Sequence, residues 1–179
     1  MTAKSKTPNR VLVDARAPRS APIAAQLARL TKRYLRELGL SGCELSLSLV
    51  TDAQIRVVNR EWRNKNKATD VLSFPAGEQP LPPGAPRPLG DVMISLETAR
   101  VRADDEGRPL QAELARYLAH GLLHVLGHDH HKKAEAARMM AAERKLLGSV
   151  GMVEAALGPA VDGARSRRAK SRIPSRRRA

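Results

Sequence analysis

The stretch "HGLLHVLGHDHH", residues 120–131, holds all five histidines of the chain. Upstream of it, apolar residues recur at helical spacing from Leu110 to Leu126, behind a proline, Pro109, that suits a helix start. On such a helix His120 and His124 lie one turn apart on one face. Gly127 predicts the helix end, because glycine readily takes the left-handed conformation of a C-terminal cap. The returning chain can then bring His130 to the same point. The pattern is H-x3-H-x5-H, two imidazoles from a helix and one from a loop. Three neutral imidazoles with an open fourth position describe a catalytic zinc site. A structural site is more often closed by four ligands including cysteine, and Cys43 is the chain's one cysteine. His131 is expected to face solvent. His128 reads two ways, stacked on the site or exposed. Asp129 also reads two ways, orienting a ligand imidazole from behind or capping the next helix. The competing reading of the whole tract is a set of surface histidines. The ordered spacing around a glycine argues against it.

Outward from this helix the pattern alternates between strands and helices. "RVLVDA" (10–15) reads as a strand. Ser20 is then placed as an N-cap for a helix through Leu38, with Gly39 as its stop. In "CELSLSLV" (43–50) the apolar residues Cys43, Leu45, Leu47 and Leu49 alternate, as in a half-buried strand. Thr51 and Asp52 open a helix to about Trp62, and "DVLSF" (70–74) is a further strand. Residues 75–90 hold six prolines and read as a loop, either a flap or rim beside a site or a tolerated insertion. "DVMIS" (91–95) is a strand, Ser95 caps a helix to about Asp105, and a last helix covers 133–147. The expected fold is α+β, a single domain with a mixed sheet of about four strands packed with helices. The expected boundaries are a flexible basic N-terminus at 1–9, a folded domain at 10–150, and a disordered Arg-rich tail at 151–179.

The chain of 179 residues is 42% apolar, which suits a packed core, but only 2% aromatic. A single cysteine permits no intrachain disulfide and suits a reducing compartment. The first residues lack the apolar run of a secretory signal, and no stretch approaches the roughly 20 apolar residues of a membrane span. A cytoplasmic protein with no membrane partner is expected. The net charge of +14 is unevenly placed. Lys4, Lys6 and Arg10 supply three charges, and seven arginines with Lys170 supply eight across residues 164–179, leaving +3 for the middle. Such a tail cannot bury apolar surface. It is read either as a phosphate grip acting through counterion release or as a passive solubility extension.

The His spacing also occurs in metzincin proteases, as HExxHxxGxxH. There the residue after the first His is the glutamate that activates water. Here that position is Gly121, so the helix offers metal ligands without the protease's proton acceptor.

The segment "HGLLHVLGHDH" resembles the signature HGxLHLxGYDH of the YbeY family of metal-dependent endoribonucleases. "NREWRNKNKATDVLSFP" (59–75) resembles the family's N-x-x-x-R-x-x-x-x-x-TDVLSFP, and "LGDVMIS" (89–95) its LGDIxIS. The positions of Met139 and Glu143 are also familiar. The likeness covers about residues 10–150. The chain departs from it at His128, where the family has tyrosine, and in the proline loop and the Arg-rich tail. The resemblance implies a zinc-binding α+β fold related in layout to zincins. It implies cleavage of single-stranded RNA in 3′ maturation of small-subunit ribosomal RNA, and a part in ribosome quality control. Its metal ligands carry over to His120, His124 and His130, and its functional arginine to Arg63.

Phosphodiester chemistry fits these residues. Zinc can polarise a phosphoryl oxygen and activate water, and Arg63 is a permanent cation able to fork onto phosphate. Arg60, Lys65 and Lys67 extend the basic stretch around it, a candidate track for an RNA backbone. Thr69 and Asp70 are read as fixing a turn. Base stacking falls to Trp62, Phe74 or Tyr117, so weak sequence readout is expected. The expected partners are single-stranded RNA, ribosomal RNA and the small ribosomal subunit. Two other readings are a zinc peptidase or amidase, and a non-catalytic ribosome-associated RNA-binding protein.

Overall fold

Cys43, Leu45, Leu47 and Leu49 are all buried, while Glu44, Ser46 and Ser48 between them are partly covered. This strand, β2 (Cys43–Val50), lies inside the sheet of a computed structural model that describes residues 8–78, 80–129 and 132–158. Among the described residues the strands are β1 (Arg10–Ala15), β2, β3 (Val71–Pro75) and β4 (Arg87–Ser95), in the order β1-β2-β4-β3. β1, β2 and β4 run parallel, and β3 is antiparallel to β4 at one edge. A parallel pair needs a crossover. α1 (Ala21–Glu37) makes the one from β1 to β2, and α2 (Asp52–Arg63) lies in the one from β2 towards β4. α3 (Leu96–Asp105), α4 (Leu110–Val125), α5 (Lys133–Gly148) and α6 (Val153–Leu157) follow. The architecture is α+β with one mixed sheet.

The main core lies between the sheet and the pair α1 and α4. Leu27, Tyr34 and Leu35 meet the apolar faces of β2 and β4, with Leu114, Leu118 and Leu122 beside them. A smaller cluster of Val50, Ile55 and Leu72 holds α2. α4 is buried almost all round, so it forms a central rod against which the sheet, α3, α5 and α6 pack. No helix among the described residues is long and apolar enough to cross a membrane.

Helix ends follow the expected chemistry at most positions. Thr51 and Gln54 form a reciprocal capping box on α2. Ser95 Oγ accepts from the Thr98 N–H at the start of α3. Gly39, at φ +71°, closes α1, its N–H donating to the Arg36 carbonyl. Ser20 differs from expectation. It precedes α1 but its hydroxyl donates to the Ala17 carbonyl at 2.6 Å, so it caps no helical N–H.

The boundaries expected from sequence shift in three places. β4 begins at Arg87, inside the proline-rich stretch read as loop, because Arg87 and Pro88 pair with Cys43 and Glu44. Leu89 is then an extra residue in the ladder, a bulge that lets a proline-bearing strand continue. Asn9, assigned to the flexible N-terminus, is tied down. Its amide donates to the Leu40 carbonyl, and its Oδ1 accepts the Cys43 N–H at 3.0 Å. Residues 153–157, assigned to the tail, form α6 and bury Ala156 beside Ala112, Ala115 and Leu147. The arginine-rich stretch 164–179 lies outside the described residues, as do His130 and His131.

Candidate active site

α4 ends as a Schellman motif. The Gly127 N–H donates to the His124 carbonyl and the His128 N–H to the Leu123 carbonyl, both at 3.0 Å, with Gly127 at φ +86°. The helix thus ends one residue after His124, and the chain reverses at the expected glycine. The Nε2 atoms of His120 and His124 face one another at 3.1 Å, with the rings 77° apart. Two ligand nitrogens on a tetrahedral ion, each about 2.05 Å from it, stand about 3.3 Å apart. The pair therefore fits a shared metal ion.

The second nitrogen of His120 is also committed. Its Nδ1 lies 2.8 Å from Glu143 Oε1, on α5. A carboxylate at Nδ1 fixes the ring and leaves Nε2 as the nitrogen turned to the cleft, the arrangement common behind metal-ligating histidines. Helical spacing alone gives Glu143 no role. Its only sequence signal is a familiar position, because the contact joins residues 23 apart on different helices.

The facing wall comes from the end of α2 and from β3. Asn64 caps α2 in the left-handed conformation, at φ 55°. Buried Asn59 fastens the turn that follows: its amide donates to the Lys67 carbonyl at 2.8 Å, and its own carbonyl accepts the Lys65 N–H. This turn presents Arg63 and Lys65 to the cleft. Val71, Ser73 and Pro75 alternate along β3 and line it too. Thr69 and Asp70 fix the start of the strand as expected, Asp70 Oδ1 accepting from the Val71 N–H and the Thr69 hydroxyl. The result is a cleft of about 720 Å³ that holds Arg63, Lys65, Arg116, His120, His124, His128 and Asp129.

Not every expected residue reaches it. Arg60 and Lys67 are exposed and do not line the cleft. Asp129 lines it and does not cap α5, whose N-cap is Lys132. Tyr117 does border the cleft, but at 2% exposed it offers no face to stack a base. Trp62, at 72% exposed, can, and it packs edge-on against Phe74 with centroids 5.5 Å apart.

Arg116 lines the cleft unforeseen, held by the wholly buried carboxylate of Glu113. Burial alone pushes the Glu113 carboxyl up. The hydrogen bonds and charge of Arg116, with Arg108 behind, outweigh burial and hold it below the usual carboxylate range. A depressed folded value stabilises the fold above the ordinary glutamate range, near pH ~4.3. That stability is lost as pH falls through the folded value. Glu113→Gln should therefore cost about 2 kcal/mol at neutral pH, less than a fully buried pair because both arginines keep some solvent. The deficit should shrink below about pH 4. Urea unfolding of both proteins at several pH values checks this, and a deficit unchanged down to pH ~2 would contradict it.

Together these features define an α+β protein with a pair of facing histidines in a cleft lined by Arg63, Lys65 and Arg116. The family model described as Endoribonuclease YbeY matches residues 15–151, and the chain belongs to this family. It is 54% identical over 163 residues to "Endoribonuclease YbeY" of Myxococcus xanthus, covering 91% of this chain but 54% of that protein. It is 50% identical to the protein of the same name from Anaeromyxobacter dehalogenans, covering 87% of this chain and 79% of that one. The chain thus spans about half the length of the Myxococcus relative. Among solved structures, the solution structure of TM1509 from Thermotoga maritima shares the fold, with a TM-score of 0.52 at 19% identity. That match covers 87% of this chain and 99% of TM1509.

Proposed function

We propose that the chain is a zinc-dependent endoribonuclease that cleaves single-stranded RNA, acting in 3′ maturation of small-subunit ribosomal RNA and in ribosome quality control in the cytoplasm. The observation that carries this reading is the convergence of His120 and His124 Nε2 in one cleft with Arg63 and Lys65. Family membership supports the reaction class, since the relatives bear the name endoribonuclease. His120 and His124 would hold the ion, with His130 as the third ligand on the grounds of its spacing after Gly127. When bound, the ion supplies Lewis-acid polarisation of a phosphoryl oxygen and activation of water. Glu143 would keep the His120 ring in register, as carboxylates do behind metal-ligating histidines. Arg63, at the end of a capped helix, offers a fork of donors to phosphate oxygens as negative charge grows on them.

A peptidase is the poorer reading. Gly121 faces the sheet rather than the cleft: a Cβ there would sit 2.8 Å from Val92 Cγ1 and 3.1 Å from both Ser73 Oγ and Val71 Cγ2. A glutamate at this position would crowd Val92, Ser73 and Val71, which weighs against a general base of the protease kind.

The test is metal analysis of the purified chain beside cleavage of single-stranded and duplex RNA, with and without chelator. Chelator-sensitive cleavage of the single strand is expected. Tight RNA binding without any cleavage would leave the non-catalytic RNA-binding reading. Arg63→Ala should keep fold and metal and lower the cleavage rate by about 10²–10³-fold, the usual cost of a lost charge clamp. Unchanged single-turnover cleavage in the folded variant would remove Arg63 from the site.

A further inference from the structure

Arg116, His120 and His124 occupy one face of α4 on three successive turns, and all three line the cleft. One edge of the Arg116 guanidinium is fixed. Nε donates to Glu113 Oε2 at 3.3 Å, and Nη2 donates to Glu113 Oε1. The plane is further held over the Tyr117 ring, 5.0 Å from its centroid. Nη1 has no protein partner among the described residues, and the side chain keeps 30% of its exposure. Buried Glu113 therefore works as a mount: it takes one edge of the fork and leaves the other edge towards the cleft.

We propose that Arg116 is a phosphate-binding residue of the RNA site, engaging the backbone next to the phosphate held at His120 and Arg63. This rests on the nuclease reading and adds to it a second cationic contact, one turn of α4 from the metal centre. The spacing suits it. One turn of helix is about 5.4 Å, a step short enough for Arg116 to reach a phosphate neighbouring the one at His120. A strand crossing the cleft would thus meet Arg63 and Lys65 from the end of α2 and Arg116 from α4. Charge balance says what kind of contact this is. Arg108 also contacts Glu113, at 3.7 Å, and pairs with Glu106 at 2.7 Å, so two arginines and two glutamates form a neutral cluster. Arg116 contributes oriented donors at short range rather than a long-range field. Its loss should weaken binding and lower the salt slope by about one, as the removal of one phosphate contact does.

Arg108 provides the control. It pairs with the same buried carboxylate but does not line the cleft. The purified chain would be compared with Arg116→Ala, Arg116→Gln and Arg108→Ala. Affinity for a short labelled single-stranded DNA, which carries the same phosphates, would be read by anisotropy. KM and kcat would be read on single-stranded RNA. Arg116→Gln keeps a donor for Glu113 and so guards against misfolding, which thermal melts would report. Arg116→Ala and Arg116→Gln should raise both the DNA Kd and the RNA KM about tenfold, with kcat within about threefold and Arg108→Ala near the parent. Equal weakening by Arg108→Ala would make the cluster merely structural and overturn the proposal. So would parent-like affinity in folded Arg116→Gln. If the parent neither binds nor cleaves RNA, the nuclease reading fails first, and the proposal with it.

Discussion

His124→Ala should strip the chain of its bound divalent metal and abolish chelator-sensitive RNA cleavage, while leaving a folded protein. His124 sits at the end of α4 with its Nε2 turned to that of His120, and the Schellman cap behind it uses only backbone groups. The imidazole can therefore be removed without breaking the helix end. A site left with His120 and one loop histidine lacks the three protein ligands of a catalytic zinc centre. Two companions grade the effect. Glu143→Gln keeps all ligands but weakens the acceptor that orients His120, and such a loss typically costs 10–100-fold in metal affinity. His130→Ala tests the ligand placed by spacing alone. A linkage measurement is independent of activity. Metal at about 100 times its Kd stabilises the parent by about 2.7 kcal/mol, so chelator should lower the Tm of the parent and leave that of His124→Ala unmoved. Stoichiometric metal in purified His124→Ala would refute the ligand assignment.

Sequence pattern reaches those parts of this site that are local, and stops where partners come from other elements. His120, His124 and the turn at Gly127 are legible because helix period and glycine conformation are properties of neighbouring residues. The strand at 43–50 is legible because period-2 burial is local as well. Asn59 is less so: within α2 it reads as a mediocre helix residue, and only the folded turn shows it gripping Lys65 and Lys67. The pair of Glu113 and Arg116 reads in sequence as an ordinary surface pair three residues apart. It becomes a mount for a cleft arginine only because α3 and the sheet bury that side of α4. Tyr117 shows the same limit: it borders the cleft, yet its neighbours cover the ring, which aromatic identity alone cannot show. The start of β4 at Arg87 escapes sequence pattern for a different reason. Prolines and glycines signal loops, and a bulge that lets them join a strand is a property of the paired strand β2.

That bulge makes Gly90→Ala the substitution with the largest expected effect on stability. Gly90 follows the extra residue Leu89 and pairs with Pro75 of β3. Its φ is +137°, a region closed to side-chain-bearing residues. A Cβ there would lie 2.1 Å from the Phe74 carbonyl oxygen and 2.9 Å from the Ala76 nitrogen. Those neighbours are backbone, so neither can swing aside as a side-chain tip would. The strained conformation alone costs about 1–3 kcal/mol, and forcing β3 off β4 adds about 1–3 kcal/mol of overpacking. A total near 4 kcal/mol is a large part of the 5–15 kcal/mol that holds a typical domain together. For a domain of this size it should lower Tm by about 8–16 °C. The damage should also reach the site, because Pro75, Ser73 and Val71 line the cleft from the strand that would be displaced. Gly84→Ala separates crowding from conformation: Gly84 has a positive φ of +79° but nothing within 4 Å of an added Cβ. It should cost only about 1 kcal/mol. Thermal and urea unfolding of the two variants would measure the difference. Equal, small losses at both positions would show that β3 and β4 give way easily at the bulge, and that the close approach there is not what fixes the rim of the cleft.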